Sequence, residues 1–305
     1  MVQYPDWLWY DGKLIETQLA TTHVLTHSLH YGVSVIEGIR AYRTESRGTA
    51  IFRLDAHLRR FFESAHGFRM QVPFSYDELR SAHVELMRKI GLEEAYLRPI
   101  VFYGSERLGL LPLGLSVHVA VAAWSWGAYL GESSGEQGIR AKTSSFVRPS
   151  ANSGLTRAKI SALYANSILA KLEATEDGYD EALLLDSQGY VAEGSGENVF
   201  IVKRGALIEP EPAAALFGIT RESVLELARA MGLEVQSRRL TRDDVYGADE
   251  AFFTGTATEI VPIVELDRRR IGNGKRGPVT ERMQRAYADV IRGRDARHDD
   301  WLTFI

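Results

Sequence analysis

Along about the first 125 residues the apolar pattern switches repeatedly between the two-residue period of a strand and the 3.6-residue period of a helix. That switching constrains the fold more than any other feature. Residues 7–10 and 13–16 flank Asp11-Gly12, a strong two-residue hairpin signal. Residues 33–42 and 51–54 read as strands. Asp55 then stands where a cap is expected, ahead of a helix whose Leu58, Phe61, Phe62 and Ala65 follow the helical spacing. A second helix is expected over 75–90, stopped by Gly91, and strands over 95–103 and 115–124.

Residues 127–138, GAYLGESSGEQG, break this pattern with glycine and serine, as interdomain segments do. The division expected is an N-terminal domain over 1–127, a linker over 128–139 and a C-terminal domain over 140–305. The C-terminal part opens with a strand over 139–145, then an irregular segment and a helix over 161–176. Two hairpins follow, 181–186 with 189–193 and 198–203 with 206–209. Helices are expected over 220–231, 241–246 and 279–292, with a strand over 250–253.

Composition removes several classes of function. The chain has 305 residues, enough for about two domains. It contains no cysteine, so thiol nucleophiles, thiolate metal sites and disulfide scaffolds are excluded. The formal charge is −4, which gives no reason to expect nucleic acid as a partner. The basic run Arg268-Arg269-Arg270, with Lys275 and Arg276, lies among Asp267, Gly272, Asn273 and Gly274 and reads as a solvated turn. The first eleven residues lack the basic and apolar regions of a signal peptide. The apolar stretch 115–124 is too short to span a bilayer. A cytoplasmic protein is expected, with no membrane partner.

Two short patterns match by accident. Gly131-Glu132-Ser133-Ser134-Gly135 fits the nucleophile elbow, which needs a strand before it and a helix after it. Gly272-Asn273-Gly274-Lys275-Arg276-Gly277 fits the dinucleotide fingerprint, but only one helix and a short tail follow it. His23, His27 and His30 have metal-like spacing, yet no carboxylate motif accompanies them. Backbone-bonded histidines and no metal are expected.

A more coherent set lies in the second half. Lys159 precedes an amphipathic helix. Glu193 ends a strand at Gly194-Ser195-Gly196. Gly218-Ile219-Thr220 opens a helix whose free N–H groups favour a phosphate. Gly255-Thr256-Ala257-Thr258 is a second small-residue turn. An amine, an isolated carboxylate and two phosphate-sized turns are what a pyridoxal phosphate site needs.

The whole chain resembles the branched-chain amino acid aminotransferases, members of the fold-type IV class of pyridoxal phosphate enzymes. The resemblance is carried by His27-Ser28-Leu29-His30-Tyr31-Gly32, Glu37-Gly38-Ile39-Arg40, Tyr96-Leu97-Arg98-Pro99 and Trp126-Gly127-Ala128-Tyr129-Leu130-Gly131. It continues through the Lys159 segment, Glu193-Gly194-Ser195-Gly196-Glu197-Asn198, Gly218-Ile219-Thr220-Arg221 and Gly255-Thr256-Ala257-Thr258-Glu259-Ile260. It implies an α+β, mixed α/β fold: a small N-terminal α/β domain and a larger C-terminal, cofactor-binding domain built on a barrel-like sheet. It also implies a homodimer or a hexamer made as a trimer of dimers.

By the same resemblance Lys159 is the Schiff-base lysine and proton shuttle, and Glu193 partners the pyridine nitrogen. Tyr164 bonds the cofactor's phenolic oxygen. Arg60, Ile219, Thr220 and Thr256 hold the phosphate. Tyr96 with the backbone of Thr256 and Ala257 holds the substrate α-carboxylate. Tyr31, Ile36, Gly38, Leu110, Trp126 and Tyr129 line the side-chain pocket, Tyr31 and Leu110 from a neighbouring subunit, and Arg98 meets the distal carboxylate of glutamate. The implied reaction is reversible, ping-pong transfer of an amino group between leucine, isoleucine or valine and 2-oxoglutarate. The family usually has Phe where this chain has Ile36, so either the pocket is wider there or a neighbour fills the space. The alternatives are other fold-type IV enzymes: a D-amino acid aminotransferase, an (R)-amine transaminase or an aminodeoxychorismate lyase.

Overall fold

The computed structural model describes residues 4–127, 130, 131, 133–211 and 214–305. The chain forms two compact units. The first comprises Met1–Trp126, Ala158–Leu163 and Val290–Ile305; the second comprises Gly127–Arg157 and Tyr164–Asp289. The expected C-terminal part, 140–305, is therefore not contiguous in space. Residues 158–163 join the first unit because Ile160 bridges Val35 and the Ile36 N–H donates to the Lys159 carbonyl at 3.0 Å. The C-terminal end joins it because the strand Leu302–Phe304 pairs with Thr49–Phe52. The expected linker holds a helical turn, Ser134–Gln137, and its last residue already begins a strand.

In the first unit β1 (Trp7–Tyr10) and β2 (Lys13–Glu16) form the expected hairpin. Asp11 and Gly12 take φ of 43° and 93°, the left-handed pair that a tight hairpin turn requires. The short helix α1 (His27–Tyr31) follows. Residues 33–42, expected as one strand, are instead β3 (Ser34–Ile36) and β4 (Ile39–Arg43). Both pair with β6 (Ala95–Tyr103) in a single register, Ile36 opposite Ile100 and Ile39 opposite Leu97. The interruption falls opposite Pro99. The Glu37 N–H donates to the Pro99 carbonyl at 3.0 Å, but proline has no N–H to return. With β5 (Thr49–Phe52) and β7 (Val117–Trp124), the sheet runs from the C-terminal strand through β5, β4, β6, β7 and β1 to β2.

One face of this sheet packs against α2 (Leu54–Gly67) and α3 (Tyr76–Ile90). The core joins Val35, Ile39, Leu97 and Val119 of the strands to Leu58, Phe61 and Leu86 of the helices. Helix α3 starts and stops as expected, with a Ser75–Glu78 capping box and Gly91 at φ 67°. Helix α2 does not start at Asp55. Its cap is Arg53, at φ 53°, whose N–H is held by the Trp301 carbonyl at 2.6 Å. Asp55 lies in the first turn, where a negative charge suits the helix dipole, and bonds Tyr76 and Arg80.

The second unit is a nine-stranded mixed sheet: β8 (Ile139–Val147), β9 (Glu181–Leu185), β10 (Val191–Gly194), β11 (Asn198–Lys203), β12 (Ala206–Pro210), β13 (Val235–Arg238), β14 (Glu250–Gly255), β15 (Glu259–Leu266) and β16 (Arg269–Arg270). The order is β10, β9, β8, β15, β14, β11, β12, β13, with β16 beside β15. Although β10 begins that order, it packs on β11 and β12 near its far end, so the sheet curls into the expected barrel-like form. Its interior is filled by Leu183, Val191, Val199, Ile208, Phe253 and Ile263 among others. Unlike β8–β12 and β14, strands β13, β15 and β16 were not legible in the sequence. Three of the four residues of β13 are polar, and β15 carries Pro262 in its middle.

Helices α4 (Ser134–Gln137), α5 (Tyr164–Glu176), α6 (Ile219–Ala230), α7 (Arg242–Tyr246) and α8 (Pro278–Ile291) complete the order. The N-terminus of α8 is taken by Glu250, whose carboxylate accepts from the N–H groups of Val279 and Thr280 at 2.9 and 2.7 Å. A Cβ on Gly277 would lie 2.0 Å from the Glu250 carboxyl carbon. The glycines at 272–277 therefore serve a turn and this close approach, not a dinucleotide. Among the described residues no helix is long and apolar enough to cross a membrane.

Candidate active site

The register of the first unit places Gly38, Arg40, Tyr96, Arg98 and Trp124 on the sheet face away from α2 and α3. Arg98 Nη2 donates to the Tyr96 hydroxyl at 3.0 Å. Trp124 and Trp126 pack on the Tyr96 ring at 5.3 and 4.5 Å. An added Cβ at Gly38 would sit 2.0 Å from the Tyr96 hydroxyl, so only glycine leaves room for it. Ile36, buried, continues the same face. Tyr31 ends α1, and its hydroxyl accepts from the Gly109 N–H at 3.1 Å. Leu110 is 87% exposed. Tyr129 and Ala128 lie outside the described residues.

Lys159 is pinned through its backbone. Its N–H donates to Ser64 Oγ on α2 at 3.1 Å, and its carbonyl accepts from Ile36 on β3. The same helix carries Arg60. Both Arg60 Nε and Nη2 bond the Glu37 carboxylate, at 2.6 and 2.8 Å, and His57 Nδ1 lies 2.7 Å from it. Burial by itself would raise the Glu37 pKa, but the charges and hydrogen bonds of Arg60 and then His57 outweigh it and hold the carboxyl well below the usual range. Burial lowers the His57 pKa, with Glu37 opposing and the charges of Arg60 and Lys159 adding to the fall.

The second unit gathers a complementary set. Glu193 at the end of β10 pairs with Arg148 at 2.7 Å, both buried, and accepts from the Leu216 N–H at 3.1 Å. Asn198 Nδ2 donates to the Leu216 carbonyl at 2.9 Å, which ties Glu193 to the segment entering α6. A Cβ on Gly218 would lie 2.0 Å from Asn198 Oδ1. Helix α6 begins at Ile219 and Thr220, and its N-cap, Gly218, has no side chain to bond the first N–H groups, whereas Glu250 bonds those of α8. Thr256 and Ala257 form the turn between β14 and β15. Tyr164 is the first residue of α5.

These groups suit a phosphorylated pyridine cofactor. An uncapped helix N-terminus and a small-residue turn suit an anion, and a carboxylate backed by an arginine suits a protonated ring nitrogen. Arg98 Nε, beside Tyr96 in the first unit, is buried with no hydrogen-bond partner among the described residues, which leaves it polar capacity that a bound molecule could use. The spacing of His23, His27 and His30 has the bland explanation: each bonds backbone groups. No group of three His, Asp or Glu that could hold a metal occurs among the described residues.

Glu197 has no role assigned by the sequence, although it lies inside the Glu193 motif. Its carboxyl is buried and accepts from the Gly196 N–H at 3.0 Å, and its pKa is raised, first by burial and then by the charge of Glu181. A carboxyl with a raised folded-state pKa favours folding below its unfolded value, and this contribution is lost as pH rises through the folded value. Glu197→Gln should therefore gain stability relative to the native protein as pH rises from about 4.5, by up to about 1.4 kcal/mol per pH unit, in denaturant titrations at successive pH values. A constant difference across pH would show that Glu197 titrates normally. Gly38→Ala should break the Arg98–Tyr96 bond and cost about 1–3 kcal/mol, read as a lowered denaturation midpoint; an unchanged midpoint would contradict the close approach.

The amino-transferase class IV family profile matches residues 34–266. A branched-chain-amino-acid aminotransferase of Pseudomonas aeruginosa is 56% identical over 298 residues, covering 98% of this chain and 97% of that one. The crystal structure of a T.th. branched-chain amino acid aminotransferase with pyridoxamine 5′-phosphate superimposes with a TM-score of 0.96 at 47% identity, covering 100% of this chain and 99% of that one. The same enzyme complexed with N-(5′-phosphopyridoxyl)-L-glutamate gives 0.95 at 46%, with the same coverage. With its motifs in order and its fold shared from end to end, the chain belongs to the branched-chain amino acid aminotransferases of the amino-transferase class IV family.

Proposed function

We propose that this enzyme uses pyridoxal 5′-phosphate to move an amino group reversibly between leucine, isoleucine or valine and 2-oxoglutarate, in two half-reactions of a ping-pong cycle. The observation that carries this reading is the Arg98–Tyr96 pair set beside the indoles of Trp124 and Trp126. One pocket must accept an apolar side chain in one half-reaction and a carboxylate in the other. Burying an unpaired carboxylate is costly. A guanidinium bonded to a phenol, next to an aromatic wall, can receive the carboxylate by charge-assisted bonds and keeps the phenol as a partner without it.

The remaining roles follow the donor sets. Lys159 would hold the cofactor through its amine, and the same amine would take the proton from the substrate α-carbon and later return one. When bound, the cofactor supplies the electron sink that stabilises charge at that carbon. Glu193, backed by Arg148, keeps a proton on the ring nitrogen. Tyr164 bonds the ring oxygen. Arg60, the N–H of Ile219, Thr220 and Thr256 hold the phosphate. Tyr96 and the backbone of Thr256 and Ala257 orient the α-carboxylate. Ile36, Gly38, Trp126 and Tyr129 bound the side-chain pocket.

Leu108, Leu110, Leu111 and Leu113 are all exposed on one loop, which supports a homo-oligomer in which this loop and Tyr31 meet a second copy. The compartment we propose is the cytoplasm.

The test is a substrate panel on the purified protein with cofactor. L-leucine and 2-oxoglutarate should give glutamate, and borohydride should fix the cofactor on Lys159. Preference for D-alanine or an (R)-amine would favour another fold-type IV enzyme, and labelling of another lysine would overturn the assignment of Lys159. Arg98→Leu should raise KM for glutamate and 2-oxoglutarate about 30- to 150-fold, equivalent to roughly 2–3 kcal/mol, and alter that for leucine much less. Equal effects on both substrates would mean that Arg98 does not read the distal carboxylate.

A further inference from the structure

Alternation along β3 and β4 places Val35, Glu37, Ile39 and Ala41 on the core face, under α2 and α3. Three of these are apolar and fully buried; the fourth is a carboxylate with 0% exposure. Both of its oxygens are bonded. Oε1 takes Arg60 Nε, and Oε2 takes Arg60 Nη2, lies 2.7 Å from His57 Nδ1, and is 3.3 Å from the Gly38 N–H. A buried ion pair of this kind is weak as a device for stability, since apolar side chains of similar volume often do as well. What it fixes is orientation. A guanidinium bonded through two nitrogens to one carboxylate has its plane and direction set, with Nη1 turned away from that carboxylate.

We propose that Glu37 is a positioning residue for the cofactor phosphate, acting through Arg60. The inference rests on the reading of Arg60 as a phosphate ligand. Glu37 also lies between Ile36 and Gly38, so the carboxylate that orients Arg60 is joined covalently to the strand segment that bounds the substrate pocket. Ser64, one turn beyond Arg60 on the same helix, holds the backbone of Lys159. The phosphate ligand, the pocket floor and the lysine segment are thereby held in one register by a single helix and the carboxylate beneath it.

The experiment measures equilibrium binding of pyridoxal 5′-phosphate and of pyridoxal, which lacks the phosphate, to the full-length apoprotein by quenching of tryptophan fluorescence. Arg60→Met should weaken binding of the phosphate ester and leave pyridoxal unchanged; if both ligands keep their affinity, the reading of Arg60 fails and Glu37 loses its proposed role with it. Given a positive Arg60 result, Glu37→Gln should weaken the phosphate ester about tenfold or more, with pyridoxal within about twofold of native. An equal loss for both ligands, or none for either, would overturn the proposal, because a purely structural carboxylate has no means of distinguishing them. Should Glu37→Gln fail to fold, Glu37→Asp keeps the buried charge while withdrawing it by one methylene. It should show a phosphate-specific loss of about threefold or more, and an unchanged ratio of the two affinities there would overturn the proposal equally.

Discussion

The buried carboxylate of Glu37 is the interaction on which the arrangement of the first unit's candidate residues depends. A charge taken out of water must be matched by partners in good geometry, and Arg60 and His57 supply them from one helix. That requirement fixes how α2 lies along β3 and β4. The helix in turn carries Ser64 to the backbone of Lys159. The positions of the lysine segment, the arginine and the glycine that admits Tyr96 are consequences of one another, because all are tied to a short stretch of strand opposite a proline.

The second unit meets the same cost differently. Glu193 is paired with Arg148, and Glu181 with Lys171 at 2.7 Å. Glu197, with no cation bonded to it among the described residues, has its pKa raised by burial, so that its proton is held more tightly. Three carboxylates close in sequence and buried in one unit thus have different electrostatic surroundings. Only Glu193 combines a full countercharge with a backbone donor from the segment leading into α6. That combination suits an acceptor for a protonated ring nitrogen, and it separates Glu193 from the other acidic residue of its own motif.

The helix N-termini illustrate a similar division of work. At α3 the donors are met by Ser75, and at α8 by Glu250; at α6 the N-cap is Gly218, which has no side chain to meet them. Two glycines that each precede a helix therefore differ in kind. Gly277 makes room for a carboxylate of the chain itself. Gly218 makes room for Asn198, a neutral amide.

The sequence by itself determined whatever depends on neighbours a few residues away. The Asp11-Gly12 hairpin, the capped helix from Ser75 to Gly91, the hairpins of the second unit and the ordered motifs were legible because turns, caps and periodicities are local. Tertiary structure decided what depends on distant partners. Residues 33–42 split because Pro99, on another strand, has no N–H to give. Helix α2 starts one residue before Asp55 because the Trp301 carbonyl, from the far end of the chain, holds Arg53. Residues 158–163 and the C-terminus return to the first unit through backbone pairing that no local pattern announces. The pairing of Glu37 and the raised pKa of Glu197 belong to the same class. A carboxylate's partners and its exposure to water are set by chain segments far away in sequence, so its charge in the folded protein is a property of the tertiary structure.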